Sequence, residues 1–149
     1  MTRFEKILVP TDFSDHSAAA LDVATDFAKT FGAKIRLLHC YRLDPADVSP
    51  YGVAASAAYD GRIREGAERR LKESEEKLEV EGIETETSLS SGFPSEAIAQ
   101  LAQQIGADLI VMGTRGMTGL KHVMLGSVAE RTVRLAPCPV LTVRAPEPD

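Results

Sequence analysis

Short apolar runs alternate along this chain with longer stretches in which apolar residues recur at three- and four-residue steps. Lys6-Ile7-Leu8-Val9-Pro10 reads as a buried strand closed by proline. Ser14 to Phe31 follows with helical spacing. Ala20, Leu21, Ala24, Phe27, Ala28 and Phe31 form one face, Ser14 stands at the capping position, Asp15 favours the positive end, and Gly32 is the stop. Ile35 to Tyr41 is a second strand. Leu43 to Ala58 is punctuated by Pro45, Pro50 and Gly52, so residues 44–58 are expected as a flexible loop, although Ala54 to Ala58 could equally extend the next helix upstream. From about Asp60 to Glu81, Ile63, Ala67, Leu71, Ser74 and Leu78 make a narrow stripe on an otherwise charged helix. Ile83 to Leu89 is a polar strand. Phe93 to Ile105 is a helix with Pro94 in its first turn and Gly106 after it. Asp108 to Gly113 is the most apolar strand, Ser127 to Leu135 a last helix, and Val140 to Val143 a last strand, with 145–149 expected to fray.

Strand alternating with helix over the whole length predicts one α/β domain spanning residues 1–149. Its parallel sheet is doubly wound, with helices on both faces. Such sheets bind ligands beyond the carboxyl ends of their strands, where the winding reverses. If that point lies between the first and fourth strands, Asp12 and Gly113 meet there, although about a hundred residues separate them.

Composition narrows the ligand. The 149 residues hold 17 Lys and Arg against 22 Asp and Glu, a net charge of −5, which gives no bulk attraction to nucleic acid or an anionic membrane. With no Trp and 5% aromatic residues, stacking surfaces for single-stranded nucleic acid are scarce. No run approaches the ~18 apolar residues of a membrane span, and the charged start at Arg3, Glu5 and Lys6 does not resemble a signal peptide, so a cytoplasmic protein is expected. Cys40 and Cys138 form no CxxC pair and have no zinc-like histidine spacing; they read as half-buried thiols, and no metal-ligand set is expected.

The stretch Gly113-Thr114-Arg115-Gly116, nine residues, then Gly126-Ser127 opening a helix, carries the most chemistry. Glycines allow a sharp turn and close approach of an anion, and the free N–H groups of a helix start attract one. Ser127 adds a hydroxyl and is a good cap residue. The stretch is neither GxxxxGK[ST] nor GxGxxG. Arg115, Lys121 and His122 are the cations near it, and no carboxylate or histidine stands out as a general base, so no catalytic residue is assigned. His16 reads as a surface helix residue and His39 as a hydrogen-bonded structural one.

Taken together, these residues resemble the universal stress protein family, in its nucleotide-binding kind. Gly113, Gly116, Gly126 and Ser127 fit Gly-x2-Gly-x9-Gly-[Ser/Thr], and the opening Ile7 to Ser14 and closing Pro137 to Leu141 are similar as well. The resemblance implies strand order 3-2-1-4-5, ATP or a related adenine nucleotide in the crevice, and Mg²⁺ carried by that nucleotide. It implies Pro10, Thr11 and Asp12 on the adenosine side, with Asp12 reaching the ribose or a polar atom near it. Cys40 would lie against adenine, where the family usually has a small apolar residue. Met112 and Gly113 would border base and sugar, and Gly116, Gly126, Ser127 and Val128 would hold phosphates, with Arg115 beside them. The apolar last strand, set against the charged Glu84-Thr85-Glu86-Thr87 edge, predicts a homodimer through Val140 to Val143, which the resemblance also implies. The expected function is a stress-response binding protein with an unknown protein partner; the alternatives are a slow ATPase or phosphotransferase and a nucleotide-free scaffold.

Overall fold

In the computed structural model the described residues are 3–41, 53–115 and 125–146, with side chains from residue 60 onward in the second stretch. Nine elements alternate: β1 (Lys6–Pro10), α1 (Asp15–Phe31), β2 (Lys34–Tyr41), α2 (Val53–Val80), β3 (Thr85–Ser91), α3 (Pro94–Ile105), β4 (Leu109–Gly113), α4 (Ser127–Leu135) and β5 (Val140–Val143). The five strands form one parallel sheet in the order β3-β2-β1-β4-β5. Ile7 pairs with Ile35 on one side and Leu109 on the other, which centres β1 in the sheet.

Strand alternation divides the core into two layers. Ile7, Val9, Ile35, Leu37 and Val111 face α1 and α2, where Ala20, Ala24, Ala28, Leu71 and Leu78 meet them. Leu8, Leu38, Ile110 and Met112 face the other way, toward Ile98 and Ala102 of α3 and Ala129 of α4. Each fully buried branched side chain contributes about 1.5–3 kcal/mol, so both layers are needed to hold the sheet. The alanine face of α1 lets that helix lie close to β1 and β4.

The ends of the helices follow local chemistry. Ser14 caps α1, accepting from the Ser17 N–H, and Gly32 closes it at φ 68°. Gly106 closes α3 at φ 65°. Two expectations shift. Val53 to Ala58 belongs to α2, so the helix takes the end of the segment expected as loop, while residues 42–52 lie outside the described ones. β3 runs two residues later than the apolar pattern suggests, because Thr85 to Ser91 pair with Ile35 to Tyr41, and Ile83 is instead a buried residue of the turn before it. No helix among the described residues is long and apolar enough to cross a membrane.

Candidate functional site

β1 and β4 lie side by side while their following helices, α1 and α4, pass to opposite faces, so a crevice opens beyond their carboxyl ends. It holds a cleft of about 520 Å³. Pro10, Thr11, Asp12, Cys40, Met112, Gly113, Arg115, Gly126, Ser127 and Val128 all line it. Thus every residue assigned to the nucleotide site from the sequence lines this cleft except Gly116, which, like the nearby cations Lys121 and His122, lies outside the described residues. Sequence reasoning missed Ser17, Leu38, Pro94 and Ile98, together with Thr114, Leu125, Ala129 and Glu130. Thr114 was adjacent to a chosen glycine. Pro94 and Ile98 come from α3, whose inward spacing was visible but whose proximity to the crevice was not.

Two glycines are required by close approach. A Cβ on Gly113 would stand 3.0 Å from the backbone carbonyl of His16, and one on Gly126 would stand 3.0 Å from the carbonyl oxygen of Thr114. Gly126 also donates its N–H to that oxygen. Gly126, not Ser127, is therefore the N-cap of α4, and among the described residues no side chain caps this helix. This corrects the capping role expected of Ser127. In a helix start of this kind the first N–H groups lack intrahelical acceptors, and here they open on the cleft. The Thr114 hydroxyl is buried beside them without a hydrogen-bond partner.

The β1–α1 turn is built differently. Thr11 donates its N–H to Leu38 O at 2.8 Å, which continues the sheet by one residue. The His39 Nδ1–H donates to Thr11 O at 2.8 Å, so His39 is the structural histidine expected. The Thr11 hydroxyl accepts from the Phe13 N–H at 3.0 Å and lies 3.1 Å from the hydroxyl of Ser17. Asp12 Oδ1 accepts from both the N–H and the hydroxyl of Ser14. Phe13 has φ 64°, a left-handed conformation costing a non-glycine residue about 1–2 kcal/mol. His16 departs from expectation: it is half-buried, its Nδ1 is shielded without a partner, and its backbone abuts Gly113.

The cleft contains two further titratable groups of note. Burial pushes the Cys40 thiol up to about 11, which keeps it neutral and poorly nucleophilic at physiological pH. Glu130 is paired with Arg134 at 2.6 Å. Cys138 is also raised, by burial and then by the nearby Asp108 carboxylate. Both cysteines are free and half-buried. Among the described residues no group of three or more His, Cys, Asp or Glu is placed to hold a metal ion.

The fold and site define a doubly wound α/β protein with a ligand-sized crevice at its switch point, floored by apolar side chains and edged by an uncapped helix start. The model of the universal stress protein family matches residues 3–144, and the chain belongs to that family. Universal stress protein MJ0531 of Methanocaldococcus jannaschii is 38% identical over 148 residues, covering 97% of this chain and 84% of that one. The structure of MJ0577 from the same organism superposes with a TM-score of 0.86 at 29% identity, covering 97% of this chain and 99% of the other. A universal stress protein solved in complex with cAMP gives a TM-score of 0.69 at 26% identity, over 97% of this chain and 99% of that one.

Proposed function

We propose that the chain is an adenine-nucleotide-binding regulatory protein, with ATP as its principal ligand. The observation that carries this reading is the pairing, in one cleft, of apolar residues with a helix start lacking a side-chain cap and two glycines at which a Cβ would be crowded at 3.0 Å. Leu38, Cys40, Ile98 and Met112 suit an aromatic base, and a volume of about 520 Å³ is in the range of small-molecule sites. Gly126, Ser127 and Val128 suit phosphates through backbone N–H groups and the helix dipole, with Arg115 also lining the cleft; Gly116, outside the described residues, is assigned to them by the family pattern alone. A net charge of −5 is no obstacle, since backbone dipoles supply the attraction locally. The cAMP complex of the related protein supports an adenine nucleotide as the class. Mg²⁺ would arrive through the phosphates.

Binding rather than turnover is the reading because no side chain of the cleft stands out as a general base. Asp12 accepts from Ser14, and Glu130 pairs with Arg134 at the surface. The nucleotide acts by its differential affinity for two states of the protein, which a partner then reads. A homodimer through the outer edge of β5 and a place in the cytoplasm belong to the same reading.

The test is direct. Freshly purified protein is denatured and the supernatant resolved by chromatography. With three Tyr and no Trp, the protein absorbs weakly near 280 nm and a released adenine stands out at 260 nm. The stripped protein is then titrated with ATP, ADP, AMP, cAMP and GTP. Saturable binding of an adenine nucleotide is expected, and its absence for all of them refutes the reading in favour of a scaffold.

A further inference from the structure

We propose that the β1–α1 turn is a two-state element, and that through Phe13 it carries the occupancy of the cleft to the outer face of α2. The inference rests on the nucleotide reading above. It adds the element that changes state and the surface at which the change is felt.

Among the described residues Phe13 is the one non-glycine at positive φ, at 64°. Local sterics disfavour that conformation, so something outside the turn must hold it. The ring supplies the hold. It packs on the core layer beneath α1 and α2. Its centroid lies 4.6 Å from that of the His39 ring on β2. The guanidinium carbon of Arg70, on α2, lies over the ring at 4.7 Å from its centroid. Ring stacking and a cation over an aromatic face are each of the same order as the strain they oppose. The docked state and an undocked state at ordinary negative φ are therefore close in free energy, which is the condition for a ligand to shift one toward the other.

Phe13 stands directly behind the cleft wall. Thr11 and Asp12, which precede it, line the cleft, whereas Phe13 and Arg70 are not among its lining residues. Thr11 is fixed to β2, donating its N–H to the Leu38 carbonyl and accepting from His39 with its own. The freedom of the turn is thus concentrated at Phe13. The Ser14 N–H donates to Asp12 Oδ1 at 3.0 Å, and this bond spans the φ rotation of Phe13. A swing to negative φ breaks it, lifts the ring from His39 and Arg70, and moves the wall. A ligand seated against the wall binds the two states with different affinity. Occupancy then favours the docked ring over which Arg70 rests, and the docked ring favours occupancy by the same factor.

The experiment follows amide hydrogen exchange of the stripped protein with and without saturating ATP, beside calorimetric titration. In the unaltered chain ATP is expected to slow exchange at residues 66–74 of α2 by about fivefold or more, and at 75–80 by less. Arg70→Ala lies outside the cleft, on an exposed helix position where alanine is the best helix former, so it keeps the fold. It is expected to weaken ATP by a comparable factor, about fivefold, and to abolish the slowing at 66–74. Phe13→Gly permits positive φ without the ring. It is expected to bind ATP within about threefold of the unaltered chain while the slowing at α2 falls below about twofold. Exchange at 66–74 that ATP leaves unchanged in the unaltered chain overturns the proposal. So does Arg70→Ala that binds ATP as tightly as the parent, or Phe13→Gly in which ATP still slows α2. Failure of the unaltered chain to bind ATP overturns the nucleotide reading itself, and the proposal with it.

Discussion

The substitution of glycine by alanine at Gly113 and at Gly66 should move stability in opposite directions. At Gly113 the new Cβ meets the His16 carbonyl carbon and oxygen at 3.0 Å and its Cβ at 3.1 Å. Comfortable carbon contacts lie at about 3.5–4.0 Å, so β4 and the first turn of α1 must separate by roughly half an ångström or more. Neither can move cheaply. β4 is paired to β1 and to β5, and α1 is locked at its start by the Ser14 cap. Overpacking of this kind costs about 1–3 kcal/mol. At this chain length each kcal/mol shifts the melting temperature by about 2–4 °C, so a drop of roughly 2–12 °C is expected. Gly66 sits inside α2 with nothing within 4 Å of its would-be Cβ. There alanine gains about 0.5–1 kcal/mol by restricting the unfolded chain and favouring the helix, for a rise of roughly 1–4 °C. Melting followed by circular dichroism on nucleotide-stripped protein compares the two, because bound ligand would mask the difference. A Gly113→Ala protein that melts at or above the parent, or two substitutions that shift it the same way, would refute the packing argument.

Three further outcomes are expected. Cys40 should alkylate slowly at pH 8, where a thiol held at about 11 is thiolate in roughly one molecule per thousand, and faster as pH rises toward 11; rapid labelling at pH 8 counts against its burial. Because that thiol ionises later in the folded than in the unfolded chain, its contribution to stability is present below its ordinary value and is lost as pH rises toward 11. Asp108 Oδ2 accepts the N–H groups of Glu5 and Lys6, each at 3.0 Å, so Asp108→Ala should cost about 1–3 kcal/mol in urea unfolding and Asp108→Asn less; an unchanged midpoint would show that water replaces these bonds. Pro139 and Val143 direct their carbonyls inward to β4, so by alternation the Thr142 N–H points to the open edge of β5. Thr142→Pro should then leave the fold intact and dissociate a β5-mediated dimer in sedimentation, and a dimer that survives would place the interface elsewhere.

Much of the architecture was legible in the chain itself. Strand and helix periods, the Ser14 cap, and the Gly32 and Gly106 stops are local consequences of side-chain chemistry, and they appear where the pattern puts them apart from the two-residue shift of β3 and the earlier start of α2. The glycine-rich stretch after β4 was legible for the same reason, since glycine spacing before a helix is written in adjacent residues. Strand order came from the resemblance rather than from periodicity, which cannot distinguish the neighbours of β1.

Other features depend on residues far apart in the chain, and these only the tertiary structure decided. The left-handed Phe13 could not be foreseen, because its cost is met by His39 and Arg70, which belong to other elements. Gly113 looked like a ligand-side glycine, yet its Cβ would be crowded by the backbone of His16 on a neighbouring helix. Ser127 had the chemistry of a cap, but close approach to Thr114 gives that position to Gly126. Local propensity acts through neighbours in sequence and can be read there, whereas steric exclusion and the strain it sustains act through neighbours in space.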